Sequence, residues 1–580
     1  MAAVAYRPPR VRVALVLCLI TLAFAGIASR LFALQIRDHR VIQAQARRQY
    51  QRRIPVAAKR GTIFDRQGRA LALSLETASV FVHPGLVENP SAVAGRLGAV
   101  LRVPPTQILQ RISVDKPFVW IERKIEPDQV EAIARLNLPG VGLVPESKRY
   151  YPKKELAAHL LGFVGVDDKG LEGVELRNNR LLGGGTRWVI SEVDALGRIV
   201  FRKAGDPDPA ADLYLTIDEV IQHVAERELA QAVHRSKARA GSVIVMDPRT
   251  GALLALANLP TYNPNRSGEF PAFARRNRAV TDTYEPGSAF KLVLAAGALE
   301  DRVIRPKDLI YGEGGAIELA GIRIRDHEEH GWMTFRDVLA YSSNVGAIKV
   351  SMKLGKERFY GYITDFGFGL RTGIDLPGEV PGLIRRPMEW SRLSIGSLAI
   401  GQEIAVTSLQ LLTAVAAVAN GGTLMRPYVL QATQRSGSRE MRETAPVPLR
   451  RVVSSETAQV LTAMMVETVE RGTGREARIP GYRVAGKTGT AQKLDPETGR
   501  YSHSKLIASF VGFVPAESPR LAILVLIDEP RKFRWGGTVA APAFREIARE
   551  ALTYFHIPAA RSIRAMPVAW GSRESVARVD

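Results

Sequence analysis

The sequence predicts an α+β fold behind a single apolar N-terminal segment, and three observations lead there. Between Val13 and Ser29 no residue is charged and only Thr21 and Ser29 are polar. Such a run is about the shortest that crosses a bilayer as a helix. Strand-like runs then stand at both ends of a C-terminal unit, at Leu213–Asp218 and Ser242–Ala255 and again at Tyr482–Ala485, Ile507–Val514 and Leu521–Ile527. Helical patterns fill the stretch from Phe290 to about Val418, and another helix closes the unit over Ala541–Thr553. Strands at both ends with helices between them suggest one antiparallel sheet packed by helices.

Length and composition set the bounds. A chain of 580 residues is too long for one core, so two or more domains are expected. The net charge of +22 suits an anionic partner. No zinc-finger spacing, RNA-binding aromatic signature or helix-turn-helix pattern accompanies it, so no nucleic acid is expected. Cys18 is the single cysteine, which excludes internal disulfides and metal sites built on several cysteines.

The apolar segment reads as a membrane anchor over 13–36, behind a short cytoplasmic tail, 1–12. Leu31, Phe32, Leu34 and Ile36 extend the pattern past Arg30, whose long stem can snorkel to the interface. A cleaved signal peptide is the alternative, because Ala23-Phe24-Ala25 resembles an A-x-A cleavage site. Arg7, Arg10 and Arg12 precede the segment, but Arg30, Arg37, Arg40, Arg47 and Arg48 follow it, so by raw count the positive-inside rule points against export. The bulk of the chain is assigned outside on functional grounds. A basic, helix-like stalk follows (37–55, the pattern running from about Gln35 to Arg53). Arg60 to Ala72 then reads as two short strands joined by a turn at Gln67-Gly68. Tyr150-Tyr151-Pro152 and Gly170–Glu175 read as scaffold within a mixed 56–212 segment, and Gly183–Gly185 and Gly205–Ala210 as connections. Leu213–Asp218 opens a 213–565 unit, followed by an amphipathic helix over about Val220–His234 and a hairpin turning at Asp247–Gly251. Residues 566–580 form a polar tail.

Three short motifs carry chemistry. In Glu285-Pro-Gly-Ser-Ala-Phe-Lys291, the Pro-Gly pair breaks the chain and an apolar helix follows. Ser288 therefore stands at or beside a helix N-terminus, where free N–H groups favour developing negative charge. Lys291 lies one turn on along the same face. A serine needs a base, and a desolvated lysine can become one. Ser113–Lys116 and Ser502–Lys505 repeat the spacing without that turn-then-helix context. Ser342 and Asn344 lie two apart in a link between helices, so both can face a cleft. Lys487-Thr488-Gly489-Thr490 follows a strand-like run and combines an ammonium, hydroxyls and a glycine that permits close backbone approach. Each motif alone is weak, but the ordered set Ser-x-x-Lys, Ser-x-Asn, Lys-Thr-Gly is specific.

With these motifs, the Arg60–Ala72 signature and Ile400-Gly401-Gln402, the chain resembles the penicillin-binding proteins, and specifically the class B, division-type transpeptidases (FtsI-like). The resemblance spans nearly the whole length. It implies a single anchor, a pedestal of dimerisation type and a penicillin-binding transpeptidase domain. The implied activity is serine-type D,D-transpeptidation, cross-linking peptidoglycan stem peptides that end in D-Ala-D-Ala, with β-lactams as inhibitors. Ser288 is the implied nucleophile and Lys291 its base. Ser342 relays a proton, Asn344 holds the substrate amide and Lys487 biases the field. Thr488, Gly489 and Thr490 bind substrate, and the backbone N–H groups of Ser288 and Thr490 form the oxyanion hole. No metal or organic cofactor is implied. An FtsW-like glycan polymerase and other divisome proteins are the implied partners, and an elongation-type enzyme is the alternative within the family.

Two rival readings use the same residues. Gly481–Thr488 satisfies the P-loop pattern, and Leu521–Glu529 looks like a Walker B strand, so a P-loop NTPase is a second hypothesis. Against it, Pro496 and Gly499 make Thr490–Ser502 read as a loop, where a phosphate cradle needs a helix. A penicillin sensor or a β-lactamase shares the three motifs. No class A Glu-x-x-Leu-Asn loop follows Ser342, and the anchored pedestal is superfluous for hydrolysing a drug. Asp326-His-Glu-Glu-His330 lacks the spacing of a metal helix and reads as a solvated loop.

Overall fold

The computed structural model describes residues 10–43, 51–57, 59–184, 186–193, 199–204, 210–495 and 498–559. They divide into two units, each taken by itself: residues 1–58 with 184–209, and residues 59–183 with 210–580. In the first unit, the apolar segment forms one helix, Arg10–Phe32, extended by a π-helical turn over Ala33–Arg37. No residue of that helix is buried by protein, and its length and composition suit a bilayer span. Residues 44–50 of the expected stalk lie outside the described residues. Gln51–Arg53 is not helical as the pattern suggested. It begins a strand, Gln51–Ala57, which pairs antiparallel with Thr186–Val193 in a three-stranded sheet. Partners more than a hundred residues away override local composition there.

The Arg60–Ala72 signature forms the expected pair of strands. Ile63–Phe64 and Ala70–Val82 run antiparallel, and Asp65 closes the turn by accepting from the N–H groups of Gln67 and Arg69. The second strand runs on to pair with both Val119–Ile125 and Val141–Tyr150. Helices Pro90–Leu101, Pro105–Ile112 and Pro127–Leu136 contribute Leu97, Ile108 and Ile133 to a core with Val80 and Val82. Leu213 does not open a separate sheet. Ala211–Leu215 lies parallel to Ile63–Phe64 and antiparallel to Leu430–Arg435, within one seven-stranded sheet.

The segments read as scaffold hold the charged centre of this region. Glu175, fully buried, accepts from Arg60 Nε at 2.6 Å and from Arg149 Nε at 2.7 Å. The two guanidiniums reach further acceptors, Arg60 to the carbonyls of Asp168 and Glu175 and Arg149 to the carbonyl of Gly61. A buried carboxylate between two buried arginines tolerates loss of a partner poorly, because the remaining charges stay desolvated.

The second sheet has five antiparallel strands in the order Leu253–Leu259, Ala240–Met246, Leu521–Asp528, Tyr501–Val514, Ala485–Leu494. It is thus assembled from both ends of the unit, as its strand pattern suggests. Alternate residues face opposite sides. Val243 and Val245 pack with the helices Glu219–Ser236 and Gly536–Tyr554. Ile244 and Met246 face the larger core, with Lys291–Glu300, Ser408–Ala419 and Ser455–Glu470. The stretch from Phe290 to Val418 is less uniformly helical than its pattern: Leu309–Tyr311 pairs with Trp332–Thr334, and Ala316–Leu319 with Ile322–Arg325.

Replacing Glu175 by Gln leaves two buried guanidiniums facing a neutral amide, which is expected to destabilise the protein by about 3 kcal/mol. A urea titration of the detergent-solubilised chain reads this as a lowered unfolding midpoint, and an unchanged midpoint contradicts it.

Candidate active site

Ser288 lies in a single 3₁₀ turn, Gly287–Phe290, that runs directly into the helix Lys291–Glu300. The turn is wedged against backbone on two sides. Gly287 has φ +55° and Gly401 has φ +78°. A Cβ on Gly401 would lie 2.1 Å from the Gly287 carbonyl oxygen, and one on Gly287 would lie 2.6 Å from that of Thr490. Both positions therefore require glycine. Glu285 ties the turn further, accepting from the Glu403 N–H at 2.9 Å and from the Tyr501 hydroxyl at 2.9 Å. Burial raises the Glu285 carboxyl above its ordinary pKa.

The site residues named from the sequence converge. Lys291, 2% exposed, donates from Nζ to the Ser342 carbonyl at 2.5 Å, to Asn344 Oδ1 at 2.8 Å and to Ser342 Oγ at 3.3 Å. Lys487, fully buried, donates to the same Ser342 Oγ at 2.9 Å. One hydroxyl thus bridges two buried amines. Desolvation brings Lys291 down to about 7, partly opposed by the Asp326 carboxylate. Lys487 is held well below its ordinary range, by burial first and by the Lys291 charge second. Among the described residues Ser288 Oγ makes no hydrogen bond, and the residue lines a cleft of about 560 Å³ with Ser342, Thr488 and Thr490.

Ser342 holds its place at φ +63°, a left-handed conformation that costs a serine about 1 kcal/mol or more. The following residue, Ser343, caps the helix Asn344–Leu354 by accepting from the Gly346 N–H at 3.0 Å. The Asp326 carboxylate, which the sequence left in a solvated loop, completes that cap. It accepts from the Ser343 hydroxyl at 2.6 Å, from the Val345 N–H at 3.1 Å and from the Asn344 N–H. Only the rest of that loop, His327–Glu329, is exposed. Asn344 Nδ2 donates to the Arg325 carbonyl, which leaves Oδ1 aimed at Lys291.

Lys487–Thr490 does not follow a strand. It lies inside one, since Ala485–Leu494 runs unbroken through the motif and its residues up to Gly489 are buried on both faces. The expected loop after Thr490 shrinks to the turn beyond Leu494. A P-loop is excluded by the same fact: the chain after Lys487 continues as an edge strand in an antiparallel sheet, with no helix N-terminus to receive phosphate. The Thr490 carbonyl approaches Gly287, so its N–H points to the same free edge of the sheet, toward the Ser288 turn. The other two Ser-x-x-Lys copies are elsewhere: Ser113 ends the helix Pro105–Ile112, and Ser502, half-buried, and Lys505, exposed, lie on the strand Tyr501–Val514.

The sequence reading missed several supports. Thr473 Oγ1 lies 2.7 Å from Thr488 Oγ1, and the Gly536 N–H donates to Thr490 Oγ1 at 3.2 Å. His327 and Trp535 meet edge to face at 4.6 Å on the cleft rim. None of these stands at a periodic spacing from the three motifs.

The chain is similar to known proteins over most of its length. The model of the penicillin-binding protein transpeptidase domain matches residues 241–549, and that of the penicillin-binding protein dimerisation domain matches residues 55–215. Stage V sporulation protein D of Bacillus subtilis is 35% identical over 555 residues, 94% of this chain and 85% of that one. Peptidoglycan D,D-transpeptidase FtsI of Escherichia coli is 34% identical, covering 92% of this chain and 90% of its own. The crystal structure of penicillin-binding protein 3 from Mycobacterium tuberculosis, complexed with aztreonam, aligns with a TM-score of 0.69 at 29% identity, over 87% of this chain and 98% of that one. The chain belongs to the penicillin-binding protein transpeptidase family. Among the described residues one helix, Arg10–Phe32 with its extension to Arg37, is long and apolar enough to cross a membrane, as suits a single-pass protein of that family.

Asp326→Asn removes the charge that favours an ammonium on Lys291, so Lys291 is expected to lose its proton below about 7. In the pH profile of covalent labelling by penicillin, the rising limb then moves to lower pH. An unmoved limb contradicts the coupling.

Proposed function

We propose that this chain is a serine D,D-transpeptidase that cross-links peptidoglycan stem peptides through an acyl-enzyme on Ser288. The observation that carries the reading is the shared hydroxyl: Ser342 Oγ receives both Lys291 and Lys487, beside a serine whose own Oγ is free for chemistry.

In this reading Lys291 supplies the base. With a pKa near 7, much of it is neutral at neutral pH, and its lone pair takes the proton as Ser288 Oγ attacks the carbonyl carbon of the penultimate D-alanine. The oxygen that becomes negative is held by the N–H groups of Ser288 and Thr490, one at the head of a helix and the other on the free strand edge. Collapse breaks the peptide bond, and Ser342 passes its proton to the departing D-alanine amine while taking from Lys291 the proton that came from Ser288, with Lys487 on its other side. An amine from a second stem peptide then attacks the ester, forming the new amide and returning the proton to Ser288. The unpaired edge of Ala485–Leu494 suits an extended peptide added as a sixth strand. Thr488 and Thr490 would meet the substrate carboxylate, Gly489 allows close approach, and Asn344 would hold the substrate amide. A β-lactam follows the same first step, with ring opening in place of a departing amine. No step calls for a metal or cofactor.

The same proposal takes in the finer assignments. Glu285-Pro-Gly-Ser, and likeness to a relative named FtsI, support a septal role over the elongation-type alternative. The catalytic portion faces outward from the cell membrane. Residues 56–212 form the pedestal and 213–565 the transpeptidase domain, and an FtsW-like polymerase with other divisome proteins is the expected company.

Intact-mass analysis with penicillin tests the nucleophile. A single adduct is expected on the wild type and none on Ser288→Ala. An adduct that survives the substitution, or no adduct on folded wild type, sinks the assignment. Because the base form of Lys291 exists above its pKa, the labelling rate is expected to rise through about pH 7 and level off above it.

A further inference from the structure

The antiparallel ribbon formed by Leu309–Tyr311 and Trp332–Thr334 has an unusual outer face. Its inward residues, Ile310 and Met333, are buried at 5% and 6% exposure. A ribbon packed on one side is expected to show polar residues on the other. Here three of the four outward residues are apolar or aromatic, Leu309, Tyr311 and Trp332, at 61%, 42% and 70% exposure, and only Thr334 is polar. Tyr311 and Trp332 are register partners, with ring centres 5.3 Å apart. The Lys349 ammonium stands 5.7 Å from the centre of the Tyr311 ring and donates to the Tyr311 carbonyl and to Glu313. Contiguous exposed aromatics with a polar rim mark a binding surface.

We infer that this face is a platform for the glycan strand of the polymer, an inference that rests on the reading of the cleft as the stem-peptide site. The apolar patch is only three side chains, small beside the roughly 800 Å² per partner that a stable protein interface buries, so a ligand of a few sugar units fits it better. Its chemistry suits a sugar, whose C–H face covers an aromatic ring while its hydroxyls meet a lysine and a carboxylate at the rim. Its position suits the same polymer. His330, two residues before Trp332, stacks at 5.5 Å on Tyr341, which lines the cleft. Lys349 stands on the helix that begins at Asn344, about 7.5 Å further along its axis. The segment leading into the ribbon thus meets the cleft wall, through His330 on Tyr341, and the ribbon itself meets the helix that begins at Asn344, through Lys349.

The test uses the detergent-solubilised full chain and peptidoglycan glycan strands freed of their stem peptides, with binding read by co-sedimentation. The wild type is expected to bind. Tyr311→Ala combined with Trp332→Ala is expected to weaken binding at least about tenfold, while Trp332→Phe retains most of it. Penicillin labelling within about twofold of wild type in every variant shows that the cleft is intact. The platform is overturned if the wild type ignores peptide-free strands, or if the double variant binds them as well as wild type does. It is equally overturned if the patch holds phosphatidylglycerol vesicles and not glycan. Failure of wild-type penicillin labelling strikes instead at the reading of the cleft, because glycan binding is measured without it.

Discussion

The arrangement depends on one hydroxyl, Ser342 Oγ, placed between two lysines that protein has removed from water. Two ammonium groups cannot both stay charged in such a place at little cost, because burial and mutual repulsion each favour a neutral form. The fold resolves the conflict by giving up a proton near neutrality, and that is the property a base for serine requires. Each neighbour of the pair has a part in this. The Asp326 carboxylate limits how far Lys291 falls, and the left-handed backbone at Ser342 turns the hydroxyl to where both amines reach it.

Three unrelated stretches must meet for this to happen, and the fold brings each by a different means. Ser288 and Lys291 arrive on a turn locked by glycine-to-backbone contacts and continued as a buried helix. Ser342 and Asn344 come at a helix N-terminus capped by a side chain from a distant hairpin. Lys487 comes on the edge strand of a sheet whose other strands span both ends of the domain. The edge is left unpaired beside the nucleophile turn, so the same strand that carries the lysine offers a track for an extended substrate.

Much of this was legible in the residues. Pro286-Gly287 followed by an apolar run announced the turn and helix, and hydrophobic runs located four of the five strands of the central sheet. The fifth was cut short because Ala485–Gly489 is buried on both faces, which removes the alternation that marks a half-exposed strand. The Gln51–Ala57 strand was missed because its pairing partner lies beyond residue 185 and its first residues continue the polar, basic pattern that precedes them. Asp326 looked like one of several charges in a loop. Its role comes from a chain reversal that returns it to the helix at Asn344, and no local spacing encodes that. Glu175 was hidden in the same way, since nothing near it in sequence announces two arginines drawn from positions 60 and 149.

The central claim is that burial, and not a neighbouring acid, sets Lys291 as a base at neutral pH. Selective ¹³C labelling of lysine methylenes, with Lys291→Arg to assign the signal, measures that titration directly in the detergent-solubilised protein. The account predicts a midpoint near 7, moving lower in Asp326→Asn. A Lys291 that keeps its proton to pH 9 or beyond would contradict it, and the proton from Ser288 would then need another acceptor.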